Sequence, residues 1–179
     1  VTNMQGMFAG CSSLKTLDLS ELKTENVTDM SFMFRGCSSL EEITLDNFNT
    51  EKVTHMAYMF ADCVKLPEIY VDSFNTKAVR DAQYMFFNCQ KLGTIYVGDN
   101  WLFINIESSS NMFKNCYLLE GKKAYDPART DAAYASTEYY TVHVSILNGD
   151  PVVLKVMDNL YVGQEKPVPE YIGYHYFNM

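Results

Sequence analysis

Five cysteines, ten methionines and three histidines are the residues of this chain best suited to metal, redox or nucleophilic chemistry. Their spacing argues against all three. Cys11, Cys37, Cys63, Cys89 and Cys116 stand 26, 26, 26 and 27 residues apart, whereas metal sites draw on pairs about two to four residues apart with histidine partners. Equivalent residues on stacked strands lie ~4.8 Å apart, further than the ~3.8 Å between Cβ atoms that a disulfide needs. Buried free thiols acting as small hydrophobes are the better reading. His55, His143 and His175 have no Ser or Cys at a motif spacing, so general-base or nucleophilic catalysis has no candidate residue. Glycine is too dispersed for a phosphate loop. The chain is therefore read as non-enzymatic, with no cofactor and no metal. The residues left with chemistry to offer are carboxylates and tyrosines, and what they can do depends on the elements that hold them.

Those elements follow from the repeat. Met-Phe precedes each cysteine at one offset (Met7-Phe8, Met33-Phe34, Met59-Phe60, Met85-Phe86, Met112-Phe113), and Leu14, Leu40, Leu66, Leu92 and Leu119 follow. A fixed period in this range marks stacked repeats, whose coils bury their apolar sides only against one another. Val1, Met4, Phe8 and Cys11 are spaced by three, four and three, which predicts one face of a short helix. Gly10, Gly36, Asp62, Asn88 and Asn115 stand where a left-handed residue would end that helix. Thr2, Thr28 and Thr54 stand where its N-cap would be. Leu17 and Leu19, then Ile43 and Leu45, Ile69 and Val71, Ile95 and Val97, are spaced by two, which predicts inward positions of short parallel strands. The Met4, Met30, Met56 column decays to Ala82 and Ser109, and the larger Phe87 and Trp101 are expected to refill the lost volume.

The run Val1-Thr-Asn-Met-Gln-Gly-Met-Phe-Ala-Gly-Cys-Ser-Ser-Leu-Lys-Thr-Leu-Asp-Leu-Ser20 resembles the BspA-type leucine-rich repeat of bacterial surface proteins, and it recurs from Val27, Val53 and Val79. The resemblance implies a right-handed α/β solenoid, export to the cell surface and a role in adhesion or host contact. The expected architecture is thus a leucine-rich-repeat stack of helix-plus-strand coils over 1–121, a capping segment over 122–138 and a small β module over 139–179. In that last stretch, Tyr140, Val142, Val144 and Ile146 alternate with polar residues before Asn148-Gly149 and an apolar run over Val152–Val156. This predicts a hairpin, and the stretch through Gly173-Tyr174 resembles the Listeria–Bacteroides repeat.

Net charge is −8, which argues against nucleic acid and against an anionic membrane surface. No apolar run is long enough to span a membrane. Val1 falls inside a repeat, which suggests a piece of a longer protein.

Residues alternating with the inward strand positions must point outward. They form the columns Thr16, Glu42, Glu68, Thr94; Asp18, Thr44, Tyr70, Tyr96; and Ser20, Asp46, Asp72, Gly98. The result is an acidic face with two tyrosines in line. Exposed tyrosines are frequent anchors of protein interfaces, so Tyr70, Tyr96, Asp46, Asp72, Glu42 and Glu68 are the expected binding residues, and a basic protein is the expected partner. A glycan stacked on the tyrosines is a weaker alternative, and a calcium ion between Asp46 and Asp72 weaker still. A structural spacer or stalk is the competing function, in which the same face is merely solvated.

Overall fold

The structure, a computed structural model, describes residues 1–119, Thr130, Ala132, 141–147 and 150–157. The alternating pairs form strands where the period of two places them: β1 (Thr16–Asp18), β2 (Glu42–Thr44), β3 (Glu68–Val71) and β4 (Thr94–Val97). β1 pairs in parallel with β2, Leu17 opposite Ile43, and β3 with β4, Ile69 opposite Ile95. Register therefore equals the sequence period. The four strands nevertheless make two separate sheets, and one residue contributes to the break. Glu41 donates its N–H to the Lys15 carbonyl and Gly93 donates to the Pro67 carbonyl. The equivalent bond between β2 and β3 would come from residue 67, and proline has no N–H to give.

The helix in each coil is not formed. No α-helix forms among the described residues, whose named elements are all strands, and this overturns the expected α/β leucine-rich-repeat solenoid. The three-four spacing is met instead by a chain of tight turns. Met7 donates to the Met4 carbonyl, Ala9 to Gly6, Cys11 to Phe8 and Leu14 to Cys11, each three residues back. Between them, the N–H groups of Met4, Gly6, Phe8 and Gly10 leave the coil and donate to Asp29, Ser31, Met33 and Arg35 of the next, at 2.7–2.9 Å. A helix would spend those donors on itself. Here they tie coil to coil, a pattern repeated through Asn88, which donates to Lys114. Parallel bridges Asn3–Asp29, Asp29–His55, His55–Asp81 and Asp81–Ser108 open each row.

Turning successive peptide planes outward requires left-handed residues, as at the third position of a type II turn. Each run of turns has two, four residues apart, and Phe103 in a return loop is a further one. The Gly10 column is left-handed as expected, with Gly36 at φ 74°, Asp62 at 63°, Asn88 at 60° and Asn115 at 67°, but inside a turn rather than at a helix end. The second column is Gly6, Phe32, Tyr58, Tyr84 and Asn111. The threonines expected as N-caps are ladder residues: Thr28 donates its N–H to the Thr2 carbonyl, and Thr54 to Thr28.

Packing runs along the stack. Phe8, Phe34, Phe60, Phe86 and Phe113 lie face to face with centroids 5.3–5.7 Å apart. Trp101 is buried, leaning on Phe74 and Phe86 at 6.5 Å and edge-on to Phe103. Phe87 is half-buried and sits edge-on to Tyr84 on the turn side. Burial comes from neighbours rather than from residue type: Met7 in the first coil is 52% exposed and Met33 in the second is 0%.

Thr130 accepts the Phe113 N–H and Ala132 donates to Ser109 Oγ, so these two buried residues close part of the fifth coil. β5 (Thr141–Leu147) and β6 (Asp150–Met157) form the expected antiparallel hairpin, Leu147 opposite Asp150, with a register shift between His143 and Val144. Residues 148–149 and the Listeria–Bacteroides-like stretch from residue 158 lie outside the described residues.

Candidate functional site

The outward columns sit where strand alternation puts them. Glu42, Glu68, Asp18, Asp46, Asp72, Tyr70 and Tyr96 are exposed, while the inward partners Ile43, Leu45, Ile69 and Val71 are buried. β3 and β4 set Tyr70 directly opposite Tyr96. Their rings lie parallel within 7° at a centroid distance of 4.3 Å. Even so stacked, Tyr70 is 46% exposed and Tyr96 41%. Glu68, two residues before Tyr70 on the same face, receives both phenols: Tyr70 Oη donates to Oε1 at 3.4 Å and Tyr96 Oη to Oε2 at 3.5 Å.

Partial burial pushes the Tyr70 phenol above its ordinary pKa, and the neighbouring Glu68 carboxylate and Tyr96 add to the shift. On β1, the Ser20 N–H donates to Asp18 Oδ1 at 2.9 Å and holds that carboxylate below its usual pKa, with the Ser20 hydroxyl adding to the effect. No lysine or arginine stands in any of the three columns, so the face presents negative potential without an internal counter-ion.

The structure thus brings Tyr70, Tyr96 and Glu68 together. Glu42 heads β2 in the same column as Glu68, and Asp46 and Asp72 lie just past their strands. No hydrogen bond or ion pair among the described residues links Glu42, Asp46 or Asp72 to the tyrosine pair. Gly98 completes the Asp46, Asp72 column because a Cβ there would overlap the Asp72 carbonyl. Among the described residues, no group of three or more His, Cys, Asp or Glu could hold a metal ion, and no helix is long and apolar enough to cross a membrane.

All five thiols are free, with Cys11 exposed and the other four buried. Four of the five thiols are thus buried, as the repeat spacing implies. The buried ones do more than fill space. Cys37, Cys63, Cys89 and Cys116 each donate Sγ–H to the carbonyl of the phenylalanine in the preceding coil, at 3.0–3.3 Å. Burial pushes the Cys37 thiol up to about 11 and Cys63 higher still. Cys89 is raised chiefly by its contact with the Cys116 thiol and then by burial. A thiol so held stays protonated and is no nucleophile.

Two features were missed in the sequence. Thr24, Thr50 and Thr76 are buried, and each hydroxyl works in both directions. Thr50 Oγ1 donates to the Asn75 carbonyl at 3.0 Å and accepts the Asn75 N–H at 2.8 Å; Thr24 does the same with Asn49. Their 26-residue spacing was visible as a signal. The second feature is an aromatic strip on the turn side, where Phe32, Tyr58 and Tyr84 stack at 5.1 and 4.8 Å. The Arg35 guanidinium is 5.7 Å from the Phe32 centroid and 5.3 Å from that of Tyr58. A point nearly equidistant from two stacked rings lies beside them, against their edges, so it contributes less than a cation over a ring face. Nothing in residue type foretold this strip, since Phe and Tyr are not left-handed residues.

Among known proteins, neither a curated protein nor a solved structure matches the chain. One family does, over residues 2–124, the stretch that carries the stacked turns, the four parallel strands and the tyrosine face. That match covers more than half of the 179 residues, and the chain belongs to the family described as "Mycoplasma protein of unknown function, DUF285".

Proposed function

We propose that this chain is a non-enzymatic interaction module of a bacterial cell-surface protein, and that it binds a protein partner through the outward face of its strands. Tyr70 and Tyr96 are the anchors, and Glu42, Glu68, Asp46 and Asp72 select a basic partner. The observation that carries the reading is the tyrosine pair itself. Two large rings left more than 40% exposed on an acidic face are the kind of amphipathic surface that interfaces bury at their centres. Placement at the cell surface, adhesion as the role and the BspA-type assignment rest on the resemblance of the repeat, together with a family whose description names Mycoplasma.

A spacer or stalk is the second reading, supported by the regularity of the coil-to-coil ladder. A glycan-binding face is third. Tyr70 and Tyr96 use one ring face each on the other, which leaves less open ring surface for a sugar.

The test is a binding screen of the folded chain against extracellular-matrix proteins, cultured host cells and a glycan array. It is run beside a Tyr70→Ala, Tyr96→Ala double variant checked for unchanged folding. The expected result is a partner whose affinity drops in the variant and weakens with salt. Absence of any partner, or binding blind to the double change, would favour the spacer.

A further inference from the structure

The tyrosine pair is asymmetric. Tyr96 covers one face of the Tyr70 ring. On the other side, the residue in the same outward column is Thr44 of the preceding coil, whose short side chain cannot screen a phenol ring. Coils two and three are stacked there, since Phe34 lies on Phe60 and Ser73 Oγ donates to the Leu45 carbonyl. Tyr70 therefore presents an open aromatic face along the sheet, and it remains the more exposed of the pair.

Carboxylates flank that face. Glu68 is engaged by the two phenols only at 3.4 and 3.5 Å, beyond the ~2.5–3.0 Å of a well-formed O–H···O bond. Its lone pairs remain available to a stronger donor. Glu42, exposed, is the next carboxylate of the same column, one coil toward the open side. No cation of the chain stands in these columns to occupy the place.

We propose that the open face of Tyr70, between Glu68 and Glu42, seats an arginine side chain from a basic segment of the partner protein. A guanidinium is planar, so it can lie flat on the ring and at the same time offer two parallel N–H groups to one carboxylate. The ammonium of lysine is a compact point charge and cannot do both. The proposal deepens the sheet-face reading and rests on it: that reading asks for a positive partner, and this one asks for arginine.

The experiment titrates the whole chain with dye-labelled oligo-arginine and oligo-lysine peptides of equal length, followed by fluorescence anisotropy. Wild type should prefer the arginine peptide by about fivefold, the scale of one stacked cation at an exposed site. Thr44→Tyr continues the column of rings and closes the open face, while every charge stays in place. It should abolish the preference and leave affinity for the lysine peptide unchanged. Glu68→Gln should also abolish the preference, and this second variant decides the matter if Thr44→Tyr fails to fold. Glu51→Gln, an exposed carboxylate outside the strand columns, should keep it. Equal binding of both peptides, with affinity still lost in the Tyr70→Ala, Tyr96→Ala variant, overturns the arginine seat and leaves the sheet-face reading standing. So does a preference that survives both Thr44→Tyr and Glu68→Gln. Binding of neither peptide, or binding blind to the tyrosine double change, overturns both.

Discussion

Tyr58 holds its backbone at φ 56° and Phe32 at 62°, a region that bulky residues rarely enter and that costs about 1–3 kcal/mol for each. The rings return part of that cost by stacking, about 0.5–1.5 kcal/mol per pair, and the rest is set against the coil-to-coil bonds that the left-handed turn permits. Shape at Tyr58 should therefore matter more than polarity. Tyr58→Asn, the residue type found in this column at Asn111, should be tolerated better than Tyr58→Val, whose β-branch clashes in the left-handed region. A gap of about 1–2 kcal/mol in urea denaturation is expected, and equal costs would remove the strain argument. The thiols make a second prediction. Cys37 and Cys63 have raised pKa values in the fold. Their stabilising contribution is thus complete below the ordinary thiol range, about 8.5, and is lost as pH rises through the folded value, about 11 for Cys37. The denaturation midpoint should fall between those limits, and it should fall less steeply in Cys37→Ala.

At the level of the element, the strands were legible and the helix was misread, and both outcomes have one cause. Hydrophobic spacing reports which side chains face inward; it does not report where the backbone donors go. A period of two has one common solution, so Leu17, Ile43, Ile69 and Ile95 fell into register as expected. Spacings of three and four are met by a helix or by consecutive four-residue turns, and Met4, Phe8 and Cys11 suit both. Gly6 and Gly10, four apart, were the available hint, because two left-handed residues within one short helix are incompatible with it. The break at Pro67 was also there to be read. The threonine ladder shows how much the return loops contribute: Thr50→Val keeps the shape but strips the half-buried N–H and carbonyl of Asn75 of their partner. A loss of about 2–3 kcal/mol is expected by thermal or urea unfolding, and a loss below about 0.5 kcal/mol would show that the ladder is incidental.

For the molecule as a whole, stability and recognition come from the same stacking. In the second and third coils, flanked on both sides, the methionines and cysteines Met30, Met33, Cys37, Met56, Met59 and Cys63 are completely buried. The same repetition lines up whatever stands outward, so two tyrosines one period apart become a stacked pair at 4.3 Å. The columns containing Tyr70, Tyr96 and Glu68 could be written down from the sequence because strand parity is strict. The phenol contacts to Glu68 could not, since they depend on rotamers that spacing does not encode. On the proposed reading, this face is where a partner lands. Hydrogen–deuterium exchange of the chain, alone and with the strongest binder from the matrix and host-cell screen, tests it most directly. Added protection is expected, confined to peptides covering β3 and β4, Glu68–Val71 and Thr94–Val97. Protection centred instead on the turn side around Phe32, Tyr58 and Tyr84, with the strands unchanged, would contradict it.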